Sequence, residues 1–119
     1  MKLELYLIRA LLKSAQDDML DDYMSRVEPS RLQAVIYHLE LLSDEGLIKD
    51  VAVREDSEGL VYGLGPVPRL TASGQALLAG LENPGCVRKI KEAAKAAGVS
   101  VTLSFAKACI DSLVAKLFI

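Results

Sequence analysis

Residues 29–64 read PSRLQAVIYHLELLSDEGLIKDVAVREDSEGLVYGL, and this stretch decides the fold. Its first half places apolar residues at positions i, i+3, i+4, i+7 and i+10, which is the spacing of one helix face. These residues are Leu32, Val35, Ile36, Leu39 and Leu42. Pro29 suits the first turn of a helix, and Gly46 suits the residue just past its end. The pattern therefore predicts a helix over residues 29–45.

Two short strand-like runs follow this helix, from Leu47 to Arg54 and from Leu60 to Leu64. The acidic link between them, residues 55–59, ends in a glycine that can adopt a positive φ, which is typical of a β-hairpin turn. The glycines and prolines between residues 63 and 68 are predicted to end the second strand.

Helical patterns lie on both sides of the hairpin. Upstream, residues 3–14 carry an apolar stripe, and residues 17–27 carry a weaker one. Downstream, a helix is predicted over residues 72–81, with Thr71 as its N-cap. A second helix is predicted over residues 86–97, after the break at Asn83-Pro84-Gly85 and before the stop at Gly98. A last helix is predicted to begin after Thr102.

This order of elements predicts an α+β, mostly helical fold. A long helix that ends in glycine and leads directly into a hairpin is the core of a winged helix-turn-helix with a two-stranded wing. We therefore expect residues 1–82 to form a winged-helix domain. Residues 83–119 are expected to form a C-terminal helical extension that packs on the same domain, dimerises or does both, so that the chain is effectively one structural unit.

The composition is that of a globular domain, with 51% hydrophobic and 25% charged residues in a chain of 119. The N-terminal stretch has no signal-peptide cleavage pattern, and charged residues interrupt the apolar C-terminal segment. We therefore expect a cytoplasmic protein that does not contact the membrane. Cys86 and Cys109 have no metal-ligand spacing, which favours two unpaired thiols.

Neither catalysis nor metal binding is predicted. The acid-rich run over residues 17–22 lacks the glycine turn and the distal glutamate of a calcium loop, and it is interpreted as a solvated loop or helix start. The sequence has no recognisable nucleophile–base pair and no phosphate-binding glycine loop. We therefore expect no enzyme activity, no cofactor and no metal.

Two phrases of the sequence resemble small bacterial winged-helix regulators. YHLELLSDEGLI, residues 37–48, resembles the end of a recognition helix with the first wing strand, and RLTASGQALL, residues 69–78, resembles the start of the helix after the wing. With the lysine-rich and leucine-rich helices that follow, they are similar to the YjcQ-like winged-helix family of bacteria and their phages. The resemblance implies a winged helix with a helical tail that acts as a DNA-binding transcriptional regulator, and it implies no catalytic residue.

The helix face opposite the apolar stripe is the candidate DNA-reading surface, although an ordinary solvated face is the alternative. Gln33 can pair with adenine through its amide, Ala34 can touch a thymine methyl, and Tyr37 can bond a phosphate. The candidate DNA-contacting residues, including those at the flank and on the wing, are Ser30, Arg31, Gln33, Ala34, Tyr37, His38 and Arg54.

The charge distribution weakens the DNA-binding hypothesis. Residues 1–65 hold seven Lys or Arg and thirteen Asp or Glu, a balance of −6, whereas residues 66–119 hold seven and three, a balance of +4. Because DNA affinity depends on cations that neutralise phosphates, the acidic first half predicts modest affinity for double-stranded DNA and a steep loss with salt. The same acidic surface supports an alternative function, a non-enzymatic protein-interaction module.

The last two helices carry further candidate contacts. Arg88, Lys89, Lys91 and Lys95 form a candidate basic patch, for nucleic acid, for acidic residues of the same or a neighbouring subunit, or simply for solvent. The last helix has apolar residues on more than one face, which predicts a homodimer, with burial inside one subunit as the alternative. The candidate interface residues are Leu103, Ile110, Leu113, Val114 and Leu117.

Overall fold

The computed structural model describes the backbone of residues 2–117 and the side chains as far as Leu113. This part of the chain forms six helices and one two-stranded antiparallel sheet, which confirms the predicted α+β, mostly helical class. In chain order the elements are α1 (Leu5–Gln16), α2 (Leu20–Ser25), α3 (Leu32–Asp44), β1 (Ile48–Asp56), β2 (Gly59–Leu70), α4 (Ala72–Leu81), α5 (Pro84–Ala97) and α6 (Leu103–Leu117).

Helix α3 begins three residues later than the sequence pattern predicts. Pro29 lies in a turn, in which the Arg31 amide donates to the Glu28 carbonyl at 2.9 Å, and helical geometry starts at Leu32. The other end is as predicted, because Gly46 adopts a φ of +68° just past the helix. The glycine sends the chain directly into β1.

Strands β1 and β2 form the predicted hairpin, but the prediction that the second strand ends between residues 63 and 68 is wrong. Strand β2 continues to Leu70 because a bulge accommodates its prolines. Val51 pairs with Leu64 and Lys49 with Arg69, so residues 65–68 lie opposite a single residue, Asp50.

Asp50 forms this bulge. It adopts a φ of +64°, which is unusual for a residue with a side chain, and its Oδ2 accepts a hydrogen bond from the Val67 amide at 2.9 Å. A Cβ atom on Gly65 would lie 2.7 Å from the Asp50 Cγ atom, so a side chain there would displace the Asp50 carboxylate. Pro66 and Pro68 sit in the part of the strand that has no partner on β1, and they remove no ladder hydrogen bond there.

Side-chain caps start the later helices largely where the sequence predicts them. The Thr71 hydroxyl accepts from the Gly74 amide at 3.1 Å, and the Thr102 hydroxyl accepts from the Phe105 amide at 3.1 Å. Asn83 caps α5 and starts it two residues before Cys86. The weaker apolar pattern over residues 17–27 corresponds to a helix of only six residues, α2.

The core is one apolar cluster to which all six helices contribute. From the C-terminal part of the chain, Ile90, Leu103, Ala106 and Ile110 are buried in it. The side chain of Ile110 packs so closely on α4 that a Cβ atom on Gly80 would lie within 2.6 Å of it.

The burial of α6 corrects part of the predicted dimer interface. Leu103 and Ile110 face the core of their own chain and have almost no surface left for a second subunit. Leu113 is half-buried, and the side chains of Val114 and Leu117 lie outside the described residues. No helix over residues 2–117 has both the length and the apolar character that a membrane span requires.

Candidate functional site

His38 lies in the core, so its predicted role as a DNA contact is wrong. Its side chain has 0% exposure. The Nε2 atom accepts a hydrogen bond from the Glu4 backbone amide at 2.9 Å, and the Nδ1 atom lies 2.7 Å from the Ala34 carbonyl oxygen, to which it donates. Because both ring nitrogens already bond the backbone, His38 joins α3 to the segment before α1.

Gln33 is exposed at the first turn of α3, but both polar atoms of its amide are in use. The nitrogen donates to the Leu60 carbonyl at 2.9 Å, and Oε1 accepts from the Leu60 amide at 2.8 Å. The neighbouring Gly59, at a φ of +120°, lets the backbone approach, since a Cβ atom there would lie 2.5 Å from Oε1. We call this pair of bonds the Gln33 clasp; it ties α3 to the start of β2.

Arg31 is also engaged within the chain. Its Nη2 atom lies 2.9 and 3.0 Å from the two carboxylate oxygens of Glu4 and donates to the Tyr6 hydroxyl at 3.2 Å. The Tyr6 hydroxyl in turn donates to Glu4 at 2.7 Å. These bonds, first from Tyr6 and then from Arg31, lower the pKa of Glu4, and the bond to the carboxylate raises the pKa of Tyr6. The positive charge of Arg31 is therefore largely compensated.

The other predicted DNA contacts differ in their surroundings. Ala34 and Tyr37 are half-buried, and the Tyr37 ring packs edge-on against His38 with centroids 5.6 Å apart. Ser30, before α3, and Arg54, on β1, are exposed and make no side-chain hydrogen bond to another described residue. Of the seven predicted residues, these two alone are exposed and make no side-chain hydrogen bond or ion pair, within the part of the chain that the structure describes.

The surface around the start of α3 and the hairpin turn, residues 54–60, carries more acids than bases. Its bases are Arg31 and Arg54. Its acids are Glu4, Glu28, Glu55, Asp56 and Glu58. We call these residues together the acidic face. The four acids other than Glu4 are exposed, and the last three cluster at the hairpin turn.

A groove of about 950 Å³ adjoins the acidic face, with which it shares Glu4, and sequence analysis did not predict it. Its lining comes from the segment before α1, from α1, α3 and α5, from the end of α4, and from the link into α6 with the first turn of that helix, which are distant in the sequence. The apolar and aromatic lining includes Leu3, Tyr6, Tyr37, Leu41, Leu81, Val87, Val99 and Val101. Two members of the predicted basic patch, Lys91 and Lys95, also line it, whereas Arg88 and Lys89 do not. We call it the cationic groove.

The acid-rich run and the cysteines show no arrangement for metal chemistry. Asp17 pairs with Lys13 at 3.6 Å and Asp22 with Arg26 at 3.3 Å, each one helical turn apart. Within the described residues, no three His, Cys, Asp or Glu side chains converge on a common point. Cys86 and Cys109 are half-buried thiols.

Comparison with protein-family models, with curated proteins and with solved structures finds no match to this chain. The similarity to YjcQ-like proteins therefore remains a prediction from the two sequence phrases.

Proposed function

We propose that this chain is a winged-helix domain that acts as a non-enzymatic protein-interaction module through its acidic face. The order of elements supports the winged-helix assignment. Helices α1, α2 and α3 precede a hairpin that starts immediately after Gly46, as in winged helix-turn-helix domains. Charge complementarity favours a partner with a basic surface.

The observation that carries this proposal is the Gln33 clasp. A DNA-reading Gln33 would have to exchange two hydrogen bonds for bonds to a base edge. Each such bond is worth about 0.5–1.5 kcal/mol, so opening the clasp offsets much of the roughly 1–3 kcal/mol that a good bidentate base contact provides. The amide is therefore better suited to holding the wing on α3 than to reading sequence.

The charges of the acidic face give the second argument. A phosphate backbone would meet five carboxylates and two arginines there, and Glu4 already compensates one of the arginines. Affinity for DNA comes mainly from lysine and arginine side chains that displace counterions. A basic protein surface would meet the same carboxylates favourably.

The DNA-regulator hypothesis is tested by fluorescence anisotropy with a labelled mixed-sequence duplex, at about 50 mM and about 200 mM salt. We expect no salt-sensitive binding by the wild-type protein. Binding that falls with salt and weakens in an Arg31→Ala, Gln33→Ala double variant would instead support a DNA-binding regulator and overturn the interaction proposal.

The interaction proposal is tested with variants that change charge at the hairpin turn. Immobilised wild-type protein and a Glu55→Gln, Glu58→Gln variant are compared for capture of proteins from lysate of the source cells. This variant leaves the turn bond from the Glu58 amide to Asp56 in place. An Asp21→Asn, Glu92→Gln variant removes the same charge from exposed positions elsewhere. We expect a protein that the wild type and the control variant both capture not to be captured by the Glu55→Gln, Glu58→Gln variant. Equal capture by both variants would contradict the proposal.

A further inference from the structure

The cationic groove has the size and lining of a small-molecule site. Its volume of about 950 Å³ lies within the range of roughly 300–1,000 Å³ that is usual for such sites. Much of the lining is apolar, and two large apolar side chains in it remain exposed, Tyr6 at 59% and Val99 at 50%. Exposed apolar surface that is gathered in a concave site is commonly covered by a ligand.

The charged side chains that line the groove are mostly basic. They are Lys2, Arg9, Lys91 and Lys95, against Glu4 and Glu45. This excess contrasts with the net charge of −2 for the whole chain.

Both carboxylates that line the groove have partners. Glu4 is bonded by Arg31 and Tyr6, and Glu45 accepts from the Ser104 hydroxyl at 3.2 Å. By contrast, Arg9, Lys91 and Lys95 form no ion pair with any carboxylate among the described side chains. Lys91 and Lys95 lie one turn apart on α5, so both can approach one anionic group.

We propose that the cationic groove binds a small single-chain amphipathic carboxylate, with its apolar chain against Leu41, Val87 and Val99 and its carboxylate beside Lys91 and Lys95. The apolar lining accounts for the chain, and the unpaired ammonium groups account for the sign of the head group. The groove shares Glu4 with the acidic face, but Lys91 and Lys95 lie on α5 outside that face, so this inference does not depend on the proposed interaction function.

The proposal is tested by titrating the full chain with sodium octanoate below its micelle concentration, followed by amide chemical shifts in NMR spectra. We expect saturable shifts at groove residues on α3, on α5 and in the link before α6. 1-Octanol and octylamine have the same chain without the negative charge, and we expect both to bind several-fold more weakly. Absence of saturable shifts with octanoate, or equal affinity for octanol, would overturn the proposal.

A matched pair of variants distinguishes specific binding of octanoate in the groove from nonspecific attraction of the anion to basic side chains. The Lys91→Gln, Lys95→Gln variant removes two charges from the groove, and the Arg88→Gln, Lys89→Gln variant removes two from the same helix outside it. We expect the first to weaken octanoate binding by about three- to thirtyfold, as two exposed ion pairs would, and the second by less than about twofold. All four positions are exposed, so neither variant disturbs the core. Equal losses in the two variants would contradict a specific site.

Discussion

His38 is a buried polar side chain that holds two distant pieces of backbone together. Its Nε2 atom supplies an acceptor for the Glu4 amide, which precedes α1 and has no helical partner. The ring must be neutral in this arrangement, with its proton on Nδ1 for the bond to Ala34. The contact fixes where the N-terminal segment crosses α3.

Replacement of His38 by alanine should lower the free energy of unfolding by about 2–4 kcal/mol, because it leaves a cavity and an unpaired backbone amide. Urea denaturation measures the change. Ser30→Ala is the control, since Ser30 is exposed and should change stability by less than about 0.5 kcal/mol. A His38→Ala variant as stable as the wild type would contradict the structural role.

Glu4 should make the free energy of unfolding depend on pH in the acid range. Its pKa is lowered in the folded protein from an ordinary value of 4.5, first by the Tyr6 hydroxyl and then by Arg31. A lowered pKa means that the stabilisation is fully present above pH 4.5 and is lost as the pH falls through the folded-state pKa. Thermal unfolding between pH 7 and pH 3 should therefore show a smaller loss of stability in Glu4→Gln than in the wild type. The control is Glu92→Gln on α5, which should keep the wild-type profile.

At the scale of secondary-structure elements, the helix ends and the hairpin could be predicted because their signals are local. Gly46, Thr71 and Thr102 act on backbone groups within a few residues of themselves. The functions of Gln33 and His38 could not be predicted in this way, since their partners are 27 and 34 residues away in the sequence. The helical periodicity placed both residues near the surface of α3, and only tertiary contacts show that their polar atoms are used.

The docking of the hairpin on α3 depends on the Gln33 clasp. We expect Gln33→Ala to lower the free energy of unfolding by about 1–2 kcal/mol and to speed hydrogen exchange at the Leu60 amide. Gln33→Glu should be at least as damaging, because a carboxylate oxygen would then face the Leu60 carbonyl. If both variants exchange at the wild-type rate, the clasp does not form in solution.

For the whole molecule, residues 84–110 contribute to the same core as the hairpin and the first four helices, since α5 and α6 supply Ile90, Ala106 and Ile110 to it. Sequence periodicity marked these positions as apolar, but it could not distinguish burial inside the chain from burial between two chains. A homodimer through α6 remains a prediction, and with Leu103 and Ile110 buried it rests on Leu113 and the residues beyond it. Light scattering over a concentration series tests it; a monomer throughout would refute it.

The central proposal is that the start of α3 and the hairpin turn form a closed, acidic surface and not a DNA-reading one. The most direct measurement is an NMR titration of the protein with a mixed-sequence duplex at about 50 mM salt, observing backbone amides and the Gln33 side-chain amide. We expect the signals of residues 30–37 and 54–60 to stay in place. Shifts confined to those residues, and abolished at about 200 mM salt, would contradict the claim and identify the surface as a DNA-binding one.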